Sequence, residues 1–399
     1  MSFFESVTQL PEDPILHLPI AFAADPRTQK VNLGVGSYRD SNGLPVVLNC
    51  VRKAEAELSS KYLNKEYQPI EGNASYLKAT NELIFGSDFL KSYAGGLFSA
   101  QTIGGTGALR LGGEFLVQET SKTIFVPSPT WPNHKPIFTR SGLKMHSYRY
   151  YDERTHQLDF AGLCGDISNM SPGSTIMLHG SCHNPTGIDP TQEQWQELSR
   201  LIKHHRIIPF FDIAYQGFIG TLDEDARAIR YFASQGHEML VAYSYSKSCA
   251  LYGERMGALT VLAQHEEAAR KIGSQIKQIV RSIYSTPPLH GMQVINEIMH
   301  APALKKEWLE ELVQMRDRIK EMRRCLIDGL ERGNSQKDWS FLKRQNGFFS
   351  FCGLNPEQVH RLLKDYGIYM LSNSRINVAG LNKNNMDYVI EALLAVTQS

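Results

Sequence analysis

A chain of 399 residues exceeds one ordinary domain of roughly 100–200 residues and falls short of three, so two domains, or one large α/β domain with an appendage, are expected. Lys and Arg total 42 against 41 Asp and Glu; this net charge of +1 speaks against nucleic acid or an anionic membrane as partner. Hydrophobic residues at 42% and charged residues at 21% exclude a disordered chain and fit a globular protein with a sizeable core.

The chain opens MSFFESVTQLPEDP, with Glu5, Pro11 and Pro14 and neither the basic, apolar pattern of a signal peptide nor the Arg-rich character of a transit peptide. No window approaches ~20 uninterrupted apolar residues, so no membrane span is expected. The cysteines (Cys50, Cys164, Cys182, Cys249, Cys325 and Cys352) are scattered without a CxxC pair, which points to reduced thiols and a cytoplasmic protein.

Gly104-Gly-Thr-Gly-Ala-Leu-Arg110 opens a helical pattern, and free N–H groups at a helix start suit an anion. It is neither a Rossmann fingerprint, with Arg110 where the third Gly should stand, nor a P-loop, lacking Gly-Lys-Ser/Thr. From about Lys122 short apolar runs alternate with helical patterns. Predicted strands are Thr123–Val126, Met145–Tyr150, Thr175–His179, Ile207–Asp212, Leu240–Ser244 and Gly257–Leu262. The best-marked helix between them begins near Asp189, with Pro190 in its first turn, Thr191 and Gln194 as a capping box, and Trp195, Leu198, Leu201 and Ile202 on one face. Strands alternating with helices imply a largely parallel sheet, whose ligands sit beyond the strands' carboxyl ends.

Trp308, Leu312, Met315, Ile319, Met322, Leu326 and Leu330 then recur at helical spacing, a core stripe on one long helix that would link two domains. After Gly333 short strands (Gly347–Phe351, Tyr369–Leu371, Arg375–Val378) surround a helix near Glu357–Asp365, and a helix closes this α+β part.

Two residues at strand ends carry chemistry. Lys247 follows the Leu240–Ser244 strand, where a lysine pointing into the crevice can be neutral enough to attack a carbonyl. Asp212 ends the preceding strand after apolar residues, and burying it demands a cationic partner. They lie 35 residues apart, about one strand-helix-strand unit, and so flank one crevice. A Schiff-base lysine opposite a carboxylate able to pair with a pyridinium nitrogen is the pairing expected for pyridoxal phosphate.

Ordered motifs extend this nearly end to end: Asn32-Leu-Gly-Val-Gly36, Glu66-Tyr-Gln-Pro-Ile70, Pro129-Thr-Trp-Pro-Asn-His134, His183-Asn-Pro-Thr-Gly187, Phe211-Asp-Ile-Ala-Tyr-Gln-Gly-Phe218, Ser244-Tyr-Ser-Lys247, Tyr252-Gly-Glu-Arg255, Tyr284-Ser-Thr-Pro-Pro288, Asn346-Gly-Phe-Phe-Ser-Phe351 and Arg375-Ile-Asn-Val-Ala-Gly380. With them the chain resembles the aspartate aminotransferase branch of the fold-type I pyridoxal phosphate enzymes. The resemblance implies an α/β fold-type I architecture with a mostly parallel central sheet and a smaller α+β domain. It makes Lys247 the Schiff-base lysine and the base that moves the proton between Cα and cofactor. It pairs Asp212 with the ring nitrogen, backed by His134 and His179, and sets Tyr215 and Asn184 on the phenolate oxygen, with Trp131 stacked on the ring. Gly105, Thr106, Ser244 and Arg255 would hold the phosphate, with Tyr67 reaching in from a partner subunit. Arg375, aided by Gly36 and Asn184, would bind the substrate α-carboxylate, and Arg281 of the neighbouring subunit the distal one. No metal is called for.

Two positions depart from the commoner pattern: Gly104 where serine is frequent, and Thr286 where Asn is usual. The implied reaction takes L-aspartate and 2-oxoglutarate to oxaloacetate and L-glutamate by a ping-pong route through a pyridoxamine form. The implied organisation is an arm at 1–12, a small domain of 13–46 plus 315–399, a large cofactor domain at 47–314, and an obligate homodimer with shared sites. An aromatic or broad-specificity aminotransferase is the first rival reading, since such enzymes can keep the Arg281 equivalent; a non-catalytic binding protein of this fold is the second.

Overall fold

The computed structural model describes residues 2–13, 15–333 and 337–398. Met1, Pro14, residues 334–336 and Ser399, which fall in the expected arm and small domain, lie outside them. At the centre is a seven-stranded sheet in the order Gly96–Ile103, Met256–Ala263, Met239–Ser244, Ile208–Ile213, Thr175–His179, Thr123–Ser128, Lys144–Arg149. Met256–Ala263 runs antiparallel to both its neighbours, and the remaining pairs are parallel. Thr175–His179, Met239–Ser244 and Met256–Ala263 are buried along their whole length, as strands covered by helices on both faces must be.

All six strands expected from the sequence form, with small shifts at their ends, and the fold is α/β. The Gly96–Ile103 strand was not legible because polar Ser99, Gln101 and Thr102 interrupt its apolar run. All three are buried, two of them bonded across the fold: Ser99 Oγ meets Thr260 Oγ1 at 2.9 Å, and Gln101 Nε2 donates to the Pro288 carbonyl at 2.7 Å. The helix expected near Asp189 spans Gln192–His204 with the Thr191–Gln194 capping box formed. Asp189 and Pro190 precede its cap instead of sitting in its first turn, because the Asp189 carboxylate is occupied by the backbone N–H groups of Cys182 and His183. The Gly104–Glu119 helix crosses the Met239–Ser244 and Met256–Ala263 strands at close range. A Cβ at its Gly112 would stand 2.4 Å from the Phe210 ring, so a side chain there would push the helix off the sheet.

The long helix Pro302–Arg332 extends about 46 Å at 1.5 Å per residue, and the whole expected stripe from Trp308 to Leu330 is buried. Near its start Glu311 accepts the N–H groups of Asn49 and Cys50; near its end Gly329 lies against Ile390. Beyond it the C-terminal strands are shorter than expected: Phe349–Phe351 pairs antiparallel with Arg375–Asn377, and Ile368–Tyr369 pairs parallel with Val31–Asn32. That last pair ties an N-terminal segment to the C-terminal part. The helices Pro356–Tyr366 and Met386–Thr397 complete it. Among the described residues no helix is long and apolar enough to cross a membrane, and the six cysteines are unpaired.

Candidate active site

The register of the sheet brings the candidate residues to one edge. His179 and Asp212 are partners on adjacent parallel strands, Asp212 is level with Ala242, and Ser244 faces Gly257. Because Met256–Ala263 runs in reverse, its leading end arrives where the other strands finish. Arg255 therefore reaches the start of the Gly104–Glu119 helix, and the Gly104 N–H donates to its carbonyl at 2.9 Å. A cavity of about 410 Å³ opens at this edge.

Within it, Lys247 and Asp212 both line the wall. Asp212 is 8% exposed and accepts a hydrogen bond from His134 Nε2 at 3.2 Å, while His134 Nδ1 lies 2.8 Å from the Thr130 hydroxyl. Burial pushes the Asp212 carboxyl up, yet the His134 hydrogen bond and the nearby Lys247 ammonium outweigh it, so the carboxylate is favoured. His179, with neither ring nitrogen partnered among the described residues, is held down to about 3 by burial and then by His134, and stays neutral. Burial lowers the Lys247 ammonium to about 8, with Asp212 opposing and Arg255 and Arg375 assisting. Lys247 Nζ stands 5.1 Å from the centre of the Tyr215 ring, whose phenol burial pushes up. Trp131 lines the wall and meets His134 edge-on at 5.3 Å.

The far end is an anion cradle. Gly105 and Thr106 start the Gly104–Glu119 helix, whose first N–H groups lack intrahelical acceptors. Ser244, Ser246 and Arg255 surround them. The Arg255 guanidinium is pinned by Nη1, which donates to the Tyr252 carbonyl at 2.9 Å and to Ser246 Oγ at 3.5 Å. Gly104 has φ +64°, and a Cβ there would lie 2.6 Å from Arg255 Nη2. The departure to glycine thus exchanges a hydroxyl for close approach of a guanidinium.

Opposite lies Arg375, 1% exposed. Its Nη1 donates to Asn184 Oδ1 at 3.1 Å, its Nη2 to the Gly34 carbonyl at 2.9 Å, and the Phe349 ring sits 4.0 Å from its Cζ. No carboxylate pairs with it among the described residues, Nε is unpartnered, and burial lowers the guanidinium to about 10. A desolvated cation with an unused donor and no carboxylate partner is suited to an anion. Gly36 lines the cavity, but the backbone oxygen on Arg375 belongs to Gly34.

Every candidate named from the sequence lines this cavity or, for His134, stands directly behind Asp212, with two exceptions. Tyr67 is 83% exposed, and exposed Arg281 bonds Ser285 alone among the described residues; neither lines this cavity. Ser37, Ser246, Tyr252 and Phe349 also line it and were given no role from sequence. Ser246 and Phe349 sit inside quoted motifs, but as a serine beside a lysine and an aromatic in a strand they carry no signal separable from turn and core.

A lysine softened by burial, a buried carboxylate, a helix start beside Arg255 and the buried Arg375 around one cavity are groups of the kinds that transamination uses. A family model for class I and II aminotransferases matches residues 28–393. A mitochondrial aspartate aminotransferase of Xenopus tropicalis is 46% identical over 100% of this chain and 94% of its own. A cytoplasmic aspartate aminotransferase of Oryza sativa subsp. japonica is 44% identical over 99% and 98%. The solved structure of an aromatic-amino-acid aminotransferase from Burkholderia pseudomallei, covalently bound to pyridoxal phosphate, superposes with a TM-score of 0.96 at 41% identity, covering 100% of both chains. The chain belongs to the class I and II aminotransferase family.

Proposed function

We propose that the protein transfers the amino group of L-aspartate to 2-oxoglutarate, giving oxaloacetate and L-glutamate in two half-reactions on pyridoxal phosphate. The observation that carries this reading is the buried Arg375, paired with no carboxylate among the described residues and lining one cavity with Lys247 and Asp212, in a chain that is 46% identical to an aspartate aminotransferase. The residues present suit the cofactor: a carboxylate kept ionised for a ring nitrogen, an amine softened to about 8, and a helix start that Arg255 approaches so closely that a Cβ at Gly104 would collide with its guanidinium. When bound, pyridoxal phosphate supplies an aldehyde carbon for the amino group and a ring that accepts electrons from Cα.

The protein's part is to hold, orient and move protons. Gly105, Thr106, Ser244 and Arg255 hold the phosphate. Asp212, backed by His134 and neutral His179, holds a proton on the ring nitrogen. Tyr215 and the amide N–H of Asn184 donate to the ring oxygen, and Trp131 covers the ring face. Arg375 receives the α-carboxylate as a forked pair, and Lys247 Nζ takes and returns the proton at Cα. In this reading the part formed by 13–46 and 315–399 closes on 47–314 and excludes water. Tyr67 and Arg281 act in the site of a second copy, Arg281 on the distal carboxylate. An obligate homodimer is supported by their position outside their own cavity and by the exposed apolar side chains of the arm, Phe3, Phe4, Val7 and Leu10. A reducing compartment, in our reading the cytoplasm, is supported by six unpaired thiols.

An aromatic or broad substrate range is the second reading, favoured by the Burkholderia pseudomallei neighbour and by apolar Ile15, Leu16 and Pro19 at the cavity. The deciding measurement is kcat/KM for aspartate, glutamate, phenylalanine and tyrosine. Aspartate should lead, and a phenylalanine or tyrosine value above it overturns the substrate assignment. Purified protein without cofactor absorbance or turnover would overturn the enzyme reading itself.

A further inference from the structure

Arg323, on the long Pro302–Arg332 helix, is 6% exposed and has no carboxylate partner in the described fold. Burial lowers its guanidinium to about 10, with nearby Cys182 opposing. Its donors go to one short segment: Nη2 to the carbonyls of Gly347 and of Phe349 (3.2 Å), and Nε to Ser350 Oγ at 3.2 Å. A buried cation satisfied only by dipoles costs the fold more than an apolar residue of similar volume would. The cost makes sense in terms of what the segment does.

Residues 345–351 are wedged between the two walls of the α-carboxylate site. On one side, the Asn346 N–H donates to the Gly187 carbonyl at 2.6 Å, and a Cβ at Gly347 would lie 2.5 Å from Cys182 Cβ, in the loop that carries Asn184. On the other, Phe351 pairs with Arg375 in the strand register, and the Phe349 ring lies under the Arg375 guanidinium. Gln345 holds the same strand by exchanging both hydrogen bonds with the Phe351 backbone, at 2.9 and 3.0 Å. We propose that Arg323 is a positioning residue for substrate carboxylate binding: by clamping the carbonyls on either side of Phe348 it fixes the Phe349 ring, and through it the direction of the Arg375 donor fork. Displacing such a fork by about 1 Å costs up to ~10²-fold. Nothing moves covalently; the effect is geometric.

The proposal rests on Arg375 as the α-carboxylate ligand, so Arg375→Ala serves as its control. In the holoenzyme, Arg323→Met should raise KM for aspartate and for 2-oxoglutarate about tenfold or more, lower kcat less than threefold, and leave the visible absorbance of bound cofactor unchanged. Arg323→Lys and Ser350→Ala should show the same split at smaller size, and they decide the matter if Arg323→Met does not fold. KM within twofold of the wild type in the variants that fold, whatever their melting temperature, overturns the proposal, as does a fall in kcat at constant KM. Arg375→Ala with unchanged KM overturns the proposal together with the carboxylate assignment beneath it. A raised KM in Arg375→Ala beside unaltered Arg323 variants removes the Arg323 role alone.

Discussion

Two arginines in this molecule share a side chain and differ in everything around it. Arg375 is enclosed, with Asn184, the Gly34 carbonyl and the Phe349 ring fixing three sides and its buried Nε left without a partner among the described residues. Arg281 is exposed, bonds Ser285 and is not among the residues that line the cavity holding Arg375. The first is organised by one chain's fold before any ligand arrives; in our reading the second is completed by another copy. On that reading one polypeptide builds the part of the site common to all amino acids and leaves the part that selects among them to its surface.

The largest effect should come from the enclosed region. Lys247→Ala removes both the amine that holds the cofactor and the base at Cα, and turnover should fall on the order of 10⁴-fold. Near-normal steady-state rates would break the assignment. Arg375→Leu should lower kcat/KM by roughly 10²-fold or more on every amino acid tested, because one partner of a desolvated pair is lost at about 2–5 kcal/mol. A loss confined to dicarboxylates would blur the contrast between the two arginines.

Arg281→Asp should instead be selective, losing roughly 10²-fold on aspartate while phenylalanine stays within about threefold. Mixing inactive Lys247→Ala with Arg281→Asp and allowing subunits to exchange sharpens this further. Hybrid dimers should regain one intact site, and no recovery of aspartate turnover would break the shared-site reading. The smallest effect concerns the loop beside Asn184. Burial raises Asp189 from 3.8 to about 7, although the Cys182 and His183 N–H groups oppose it. Between those values the native state keeps a proton that the unfolded chain has lost, so stability falls as pH rises from about 4 to 7 and is flat above. Asp189→Asn keeps an acceptor and lacks this titration. Relative to it, the wild type should lose on the order of 2 °C in melting temperature between pH 5 and pH 8. Parallel curves would show that Asp189 is not the group responsible.

Much of this could be read along the chain. The strands Thr175–His179, Met239–Ser244 and Met256–Ala263 announced themselves because strands buried on both faces must be apolar throughout, and the long helix because its stripe repeats at the helical period. Lys247 and Asp212 were legible as polar residues stationed at the ends of such runs. The Gly96–Ile103 strand was hidden, since Ser99 and Gln101 are paid for by partners distant in sequence, Thr260 and Pro288. Arg323 was hidden for the related reason that its acceptors are backbone carbonyls, which no side-chain pattern encodes.

By itself the sequence determined the parallel α/β core, the strand ends that carry chemistry and the order of motifs, because hydrophobic period and local capping act over a few residues. Only the tertiary structure decided that one strand runs backwards and so delivers Arg255 to the Gly104–Glu119 helix, that Gly34 and not Gly36 accepts from Arg375, and that Tyr67 and Arg281 stand outside. Strand direction, close approach and enclosure depend on contacts hundreds of residues apart, and these exist only once the chain has packed.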